Sequence, residues 1–228
     1  PDQRFLTWRP PDSEDPDLLW MQVPLRLGLP AMHSEVTSII PWWYTRTYGK
    51  GRTAALSADA LALARVRYVL WAEHSPWELG QAPPLGAVQI AEVAEPAPRV
   101  FAVRPSMVLS RDEIHDRLAF GPPLRETVLL EAPLGAVAPG AGCGEVSEVE
   151  SSQRALTLRY EGPACYLVVT DSWHPGWEAR FEGEAVEVAR AYGVFRVVAV
   201  SGSGVLEMVW TPWEAWLGIG VSLLVGDR

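Results

Sequence analysis

The sequence predicts an α+β N-terminal part followed by an antiparallel β-sandwich of the jelly-roll-like kind. Before residue 132, two short segments of strong helix formers lie among strand-like runs, which is typical of an α+β arrangement. After residue 144, helical periodicity disappears and about seven short strands follow, separated by turns. Residues 133–144 (PLGAVAPGAGCG) are rich in glycine, proline and alanine and predict a linker. We therefore expect an α+β subdomain at 1–132 and a β-sandwich subdomain at 145–212.

Composition places the chain among globular proteins and excludes two kinds of partner. Of its 228 residues, 48% are hydrophobic and 21% are charged, which is ordinary for folded domains. The formal net charge of −9 argues against nucleic acid, because binding to phosphates requires clustered Lys and Arg. It also argues against binding to an anionic membrane through a basic patch. The sequence contains no P-loop or dinucleotide fingerprint, and it predicts no cofactor.

The N-terminal part contains two helix signals among its predicted strands. Ser57 is a predicted N-cap for a helix through Ala64, and Ser110 with Glu113 matches a capping box for a helix through Phe120. The predicted strands are β-rich runs, namely Arg4–Trp8, Val66–Trp71, Val88–Val93, Arg99–Arg104 and Thr127–Leu130. Residues 75–84 are rich in proline and predict a loop.

The C-terminal part alternates strands with turns. The predicted strands are Glu145–Glu150, Arg154–Tyr160, Cys165–Thr170, Glu178–Phe181, Ala185–Arg190, Val194–Val200 and Val205–Trp210. Alternation predicts that Leu156, Leu158 and Tyr160 face the core together. Glu182-Gly183 and the SGSG at 201–204 predict hairpin-type turns.

An aromatic-rich turn follows the apolar strand that ends at Thr170. Pro175-Gly176 predicts the reversal, because proline fixes φ and glycine accepts the positive φ that tight turns often need. Trp173, His174 and Trp177 crowd around this turn. They form either a platform for stacking against a sugar or a plug that closes one end of the sandwich. Aromatic burial favours the plug.

The sequence offers few candidates for chemistry. Asp171 with His174 is a candidate acid/base or metal pair, although two groups do not make a site. Because aromatic faces and planar donors suit sugars, the candidate carbohydrate contacts are Trp173, Trp177, Arg190 and Tyr192. No metal centre is predicted, since neither cysteine lies in a CxxC or Cys/His cluster. No catalytic residue is assigned.

Cys143 and Cys165 are the two cysteines of the chain. If the first three strands after the linker form a meander, the first and third begin at the same end of a sheet. The two cysteines are then neighbours, and we expect a disulfide, which would place the domain outside the cytoplasm. The alternative is a pair of small buried thiols.

The run Trp213–Gly226 (WEAWLGIGVSLLVG) is apolar after one early acid. It predicts either a terminal helix packed on the domain or the first half of a transmembrane helix at 213–228. Trp213 and Trp216 stand where interfacial aromatic residues would, which favours the membrane helix.

The C-terminal half resembles the extracytoplasmic C-terminal domain of the YfhO-like family of bacterial polytopic membrane proteins. The resemblance rests on LVVTDSWHPGWEARFEGEAVEV (Leu167–Val188), AYGVFRVVAV (Ala191–Val200) and the TPW that begins at Thr211. Upstream, ALARVRYVLW (Ala62–Trp71) and PRVFAVRP (Pro98–Pro105) are also similar to family stretches. One departure is Glu182, where the family usually has aspartate in the hairpin turn.

The resemblance implies a parent protein similar to GT-C-type glycosyltransferases, which take sugar from a polyprenyl-phosphate donor at the outer membrane leaflet. The implied catalytic acid lies in an extracytoplasmic loop between early membrane helices, so this chain is expected to be a non-catalytic domain on the extracytoplasmic face of the cell membrane. The implied partners are the membrane, through flanking helices, and a glycan or polyprenyl-linked sugar. The alternatives are a carbohydrate-binding β-sandwich module and a structural or assembly domain of a membrane protein.

Overall fold

Strands dominate the part of the chain that the structure describes. The computed structural model describes residues 4–8, 57–71, 80–85, 88–121, 123–135, 137, 142–152 and 154–211. These residues form fifteen strands and two helices. The predicted transmembrane segment at 213–228 lies outside the described residues. Neither described helix combines the length and the apolar character that crossing a bilayer requires.

The N-terminal elements confirm most of the local predictions. They are β1 Arg4–Trp8, α1 Ala58–Leu63, β2 Val66–Trp71, β3 Gly80–Leu85, β4 Val88–Glu92, β5 Val100–Val103, β6 Ser106–Val108, α2 Arg111–Phe120 and β7 Val128–Leu130. Ser57 Oγ caps α1 by accepting from the Ala60 amide at 3.1 Å. Ser110 and Glu113 form the predicted capping box of α2. Both helices therefore begin where their caps predict.

The prediction of a loop at 75–84 is wrong for its last residues, because β3 spans Gly80–Leu85 and contains Pro83 and Pro84. β3 lies at the edge of its sheet, and its register is irregular between Ala82 and Leu85. Proline is tolerated at such a place because an edge strand does not need every amide for pairing.

The C-terminal elements also follow the predicted strands. They are β8 Glu145–Ser151, β9 Ala155–Glu161, β10 Cys165–Ser172, β11 Trp177–Phe181, β12 Glu184–Val186, β13 Ala189–Ala191, β14 Phe195–Val200 and β15 Gly204–Trp210. The one clear error is the strand predicted at Ala185–Arg190. It is two strands, since β12 pairs with β11 whereas β13 pairs with β14 in another sheet. The chain changes sheets at Glu187–Val188.

The described strands form three sheets. A four-stranded sheet has the order β1-β2-β4-β3, with β1 and β2 parallel. A six-stranded sheet has the order β5-β10-β14-β13-β7-β6 and is mixed, because β6 and β7 are parallel. A five-stranded sheet has the order β12-β11-β15-β9-β8, and all its pairs are antiparallel.

The predicted linker at 133–144 does not separate two sheets. The six-stranded sheet takes β5, β6 and β7 from before this segment and β10, β13 and β14 from after it. Backbone pairing of β5 with β10, and of β7 with β13, brings the two stretches together. Leu134, inside the segment, is buried in the core. Residues from both predicted subdomains, 1–132 and 145–212, therefore contribute strands to one sheet.

Strand β10 lies between two hydrophobic cores. Tyr166 and Val168 belong to a core that also contains α1, α2 and β7. Leu167 and Val169 belong to a second core, which combines residues of the six-stranded and five-stranded sheets. Because alternate side chains are buried on opposite faces, the strand reads as a continuous apolar run. The predicted inward row of β9 is confirmed within the second core.

The predicted disulfide between Cys143 and Cys165 is present, with a Cα–Cα distance of 6.0 Å. The predicted geometry behind it is wrong, however. β8 and β9 belong to the five-stranded sheet, whereas β10 belongs to the six-stranded sheet. Cys143 precedes β8, an edge strand, and Cys165 begins β10, an inner strand of the other sheet, so the bond joins two sheets rather than two strands of a meander.

Candidate functional site

The aromatic turn between β10 and β11 is held by backbone hydrogen bonds. The Trp173 amide donates to the Val194 carbonyl at 2.7 Å, and the Trp177 amide donates to the His174 carbonyl at 3.1 Å. Pro175 and Gly176 make the reversal between them. The turn is therefore fixed to the beginning of β14 as well as to its own strands.

Gly176 has a different role from the predicted one. It is not among the described residues with positive φ. Instead, a Cβ at this position would lie 2.7 Å from the Thr211 carbonyl oxygen and 3.1 Å from Trp210 Nε1. The Thr211 amide also donates to the Gly176 carbonyl at 2.8 Å. Glycine is required here because the end of β15 packs directly against the turn.

We expect Gly176→Ala to lower the free energy of unfolding by about 1–3 kcal/mol, as overpacking does at rigid sites. Chemical denaturation measures this. Gly202→Ala is the matched control, because a Cβ at Gly202 meets nothing within 4 Å. Equal stability of the two variants would show that the turn does not pack tightly on Thr211.

Asp171 and His174, the candidate acid/base or metal pair, have different surroundings. His174 Nδ1 accepts from the Gly176 amide at 3.1 Å and lies 3.5 Å from Trp210 Nε1. The His174 and Trp210 rings meet edge to face, with centroids 6.1 Å apart. Asp171 is surrounded by arginines instead. Among the described residues, no three His, Cys, Asp or Glu side chains are grouped as a metal site would require.

Three arginines converge on Asp171, and we call these four residues the arginine cluster. Asp171 Oδ2 accepts from Arg99 Nε at 2.8 Å and from Arg99 Nη2 at 2.7 Å. The same oxygen accepts from Arg196 Nη2 at 2.8 Å. Arg65 Nη1 lies 3.9 Å from Asp171 Oδ1. The side chains of Arg65 and Arg196 are only 7% and 3% exposed, so their charges depend on this carboxylate.

The arginine cluster extends to the other sheet through Arg99. Arg99 Nη1 donates to Glu148 Oε2 at 3.0 Å and to Ser151 Oγ at 2.6 Å, both on β8. Burial opposes the charge of Arg99, but its hydrogen bonds to Asp171 and the nearby charges of Asp171 and Glu148 outweigh burial and raise its pKa. The cluster thus connects β10 and β14 with the edge of the five-stranded sheet.

Guanidinium groups lie over both candidate sugar-stacking tryptophans. Arg196 Cζ is 4.0 Å from the ring centroid of Trp177, and Arg190 Cζ is 5.2 Å from that of Trp173. Trp173 Nε1 also donates to the Val188 carbonyl at 2.8 Å. These are cation–π contacts within the protein, and each covers one face of an indole ring.

Arg190 also takes part in an ion pair. Its Nη2 donates to Glu131 Oε2 at 2.7 Å, and Arg111 Nε donates to the same oxygen at 2.7 Å. The pair links β13 to α2 and to the residue after β7. The Arg190 guanidinium group therefore has two partners within the fold, the Glu131 carboxylate and the Trp173 ring.

Tyr192 is a core residue rather than a ligand contact. Its side chain is 0% exposed. The hydroxyl donates to the carbonyls of Leu124 and Thr127, at 2.8 and 3.0 Å. The backbone has φ of 51° in the turn between β13 and β14. A completely buried ring offers no surface to a glycan, and we remove Tyr192 from the candidate site.

We expect Tyr192→Phe to cost about 1–3 kcal/mol at neutral pH, because the buried Leu124 carbonyl and the partly buried Thr127 carbonyl lose their donor. Burial raises the pKa of Tyr192 in the folded state. The unfolded hydroxyl ionises near pH 10, so the wild type should lose stability as pH rises above about 10, whereas below it the contribution is complete.

Denaturation at a series of pH values from neutral to alkaline measures both effects. The variant should show a shallower alkaline loss of stability than the wild type. Parallel curves would contradict the assignment of Tyr192 as a buried neutral hydroxyl.

The arginine cluster is the feature that the sequence analysis missed. One signal was present, since Arg196 interrupts the otherwise apolar strand FRVVAV, and a charge in a buried strand requires a partner. Its partner Asp171 is 25 residues away, and Arg99 is 72 residues from Asp171. No local pattern reports such pairs.

Comparison with known proteins gave no match, whether to family models, to curated proteins or to solved structures. Support for a function therefore comes from the residues and their contacts.

Proposed function

We propose that this chain is a non-catalytic, extracytoplasmic domain of a polytopic membrane protein of the GT-C glycosyltransferase-like type. The parent protein would transfer sugar from a polyprenyl-phosphate donor to a cell-envelope glycan or lipid. The observation that carries the proposal is the disulfide between Cys143 and Cys165. Structural disulfides persist in oxidising compartments and are rare in the cytosol, so a bond that joins two sheets favours folding outside the cytoplasm.

The membrane part of the proposal is supported by the sequence after β15. The strand ends at Trp210, and the apolar run Trp213–Gly226 follows almost at once. The resemblance of Leu167–Val188 to the YfhO-like family supports the same arrangement. In this proposal the folded domain lies directly beside a membrane helix.

We also infer a β-sandwich for the packing of the six-stranded and five-stranded sheets. The second core contains Leu167 and Val198 from one sheet and Leu158, Leu206 and Met208 from the other. Such a shared layer of inward-facing residues is what aligned sheet packing produces.

The contacts of the aromatic turn support a structural rather than a catalytic role. Asp171 binds arginines, and Arg190 and Arg196 lie over Trp173 and Trp177. These side chains stabilise the corner where the chain passes from one sheet to the other. The corner thus explains the aromatic residues without a substrate.

Cell fractionation and surface proteolysis test the proposed location. We expect the full-length protein to remain with the membranes after high-salt and alkaline washes. We also expect protease added outside spheroplasts to cleave it, whereas a cytoplasmic control protein stays intact. Recovery of the full-length protein in the soluble cytoplasmic fraction would overturn the proposal.

A carbohydrate-binding module is the second candidate, favoured by the half-buried Trp173 beside Arg190. The outward face of β9, β11 and β15 is less suited to sugar, since none of the following outward-facing residues is aromatic. They are Ala155, Thr157, Arg159, Glu178, Arg180, Val205, Glu207 and Val209. Glycan titration distinguishes the candidates. Saturable binding that Trp173→Ala abolishes and Trp173→Phe retains would favour the module.

A further inference from the structure

We infer that the end of the domain that carries the aromatic turn contacts the headgroup region of the lipid bilayer. This inference rests on the proposed function and adds the orientation of the domain and the surface that meets the membrane. The aromatic end consists of Ser172–Trp177 with Trp210 and Thr211. The opposite, disulfide end consists of Cys143 and Cys165 with the turns at 182–183 and 201–204.

Strand pairing defines these two ends. Ser172 pairs with Phe195 at one end of β10, and Cys165 pairs with Val200 at the other. In the five-stranded sheet, Trp177 pairs with Trp210 at the aromatic end. Phe181 pairs with Glu184 and with Leu206 at the disulfide end. The chain therefore leaves the described fold from the aromatic end, at Thr211.

Covalent geometry places this end close to any membrane helix that follows. Thr211 is two residues before Trp213, where the apolar run begins. Two extended residues span at most about 7 Å. Because the Thr211 amide donates to the Gly176 carbonyl, the turn itself lies beside the point of exit. If residues 213–226 enter the bilayer, the aromatic turn has to lie at its surface.

The side chains of the aromatic end suit that position. Trp173, His174, Trp177 and Trp210 are all half-buried, so none of these aromatic residues is completely removed from solvent. Trp and similar amphipathic rings are enriched at the level of the lipid headgroups. By contrast, the aromatic residues near the disulfide end, Tyr160, Tyr166 and Phe181, are buried at 0%, 4% and 8% exposure. The half-buried tryptophans Trp173, Trp177 and Trp210 thus lie at the end of the domain that this inference places against the membrane.

Site-directed spin labelling tests this orientation in the full-length protein. Ser172→Cys and Thr211→Cys place nitroxides at the aromatic end, and both residues are exposed. Glu184→Cys is the control, exposed on β12 beside the turn at 182–183. It lies about four strand residues, or about 13 Å, further from the aromatic end along β11. No free cysteine occurs among the described residues, so in this domain the label reacts at the introduced site.

The measurement is the accessibility of each label to oxygen and to a nickel chelate, with the protein in phosphatidylcholine nanodiscs. We expect the ratio of oxygen to chelate accessibility to be several-fold higher at residues 172 and 211 than at residue 184. Thermal denaturation shows whether each labelled variant is folded. Because two labels lie at the aromatic end, the test stays valid if one of these variants unfolds.

Two results would overturn the inference, and they are distinguishable. If the protein stays in the nanodiscs but all three labels are equally exposed to the chelate, the orientation is wrong and the proposed function stands. If the protein does not associate with nanodiscs at all, the proposed function fails with it.

Discussion

Replacing Asp171 with asparagine is expected to lower the free energy of unfolding by about 3 kcal/mol or more, the largest effect of any single exchange we predict. Asparagine keeps the shape and an acceptor oxygen but removes the charge. The guanidinium groups of Arg65 and Arg196, 7% and 3% exposed, then lose their common counter-charge. Removing one partner of a buried ion pair is costly because the remaining charge stays desolvated.

Urea denaturation of wild type and Asp171→Asn measures this effect. Asp116→Asn is the control, because Asp116 is an exposed residue on α2, and surface exchanges usually change stability by less than about 0.5 kcal/mol. Similar midpoints for the two variants would mean that solvent, rather than Asp171, balances the arginine charges.

Removing the disulfide is expected to have the second largest effect. The two cysteines are 22 residues apart in sequence. Chain-entropy estimates for a loop of this length give about 3 kcal/mol of stabilisation. The double variant Cys143→Ala with Cys165→Ala should therefore be less stable than the oxidised wild type by about this amount.

The wild type treated with a dithiol reductant provides the internal comparison. Its stability should fall to near that of the double variant, and reductant should not affect the variant itself. If the reduced and oxidised wild type unfold at the same denaturant concentration, the bond does not constrain the unfolded chain and contributes little.

Local patterns were sufficient to locate most of the helices and strands. Ser57 and Ser110 marked both helix starts, because capping depends on residues within one turn. Alternation located β9 and β15, because one of their faces is buried in the second core. Such short-range rules locate both helices and these two strands, but not β3 or the division between β12 and β13.

Sheet membership was not predictable in the same way. The local sequence predicts one extended strand across β12 and β13. Which sheet a short strand joins depends instead on its pairing partners elsewhere in the fold. For the same reason the predicted linker at 133–144 did not mark a boundary between sheets. Cys143 and Cys165 were paired correctly, although β10 belongs to a different sheet from β8.

The candidate site shows the same division. Trp173 and Trp177 were identified from composition, and the fold places both at the corner between the sheets. Arg190 is also a predicted sugar contact, but its position over Trp173, and that of Arg196 over Trp177, is not predicted, because the two arginines come from β13 and β14. Tyr192 is a predicted sugar contact, but the fold buries it completely, which composition does not reveal.

The most direct test of the central claim, that this domain folds outside the cytoplasm as part of a membrane protein, is the thiol state in intact cells. Cells are acid-quenched, and the full-length protein is treated with a maleimide-linked polymer that adds mass at each free thiol. When a membrane-impermeant reductant is added before the quench, the wild type should gain two more polymers per chain than the Cys143→Ala/Cys165→Ala variant. Without the reductant, the two proteins should gain the same number. Two free thiols in wild type without any reductant would contradict the account.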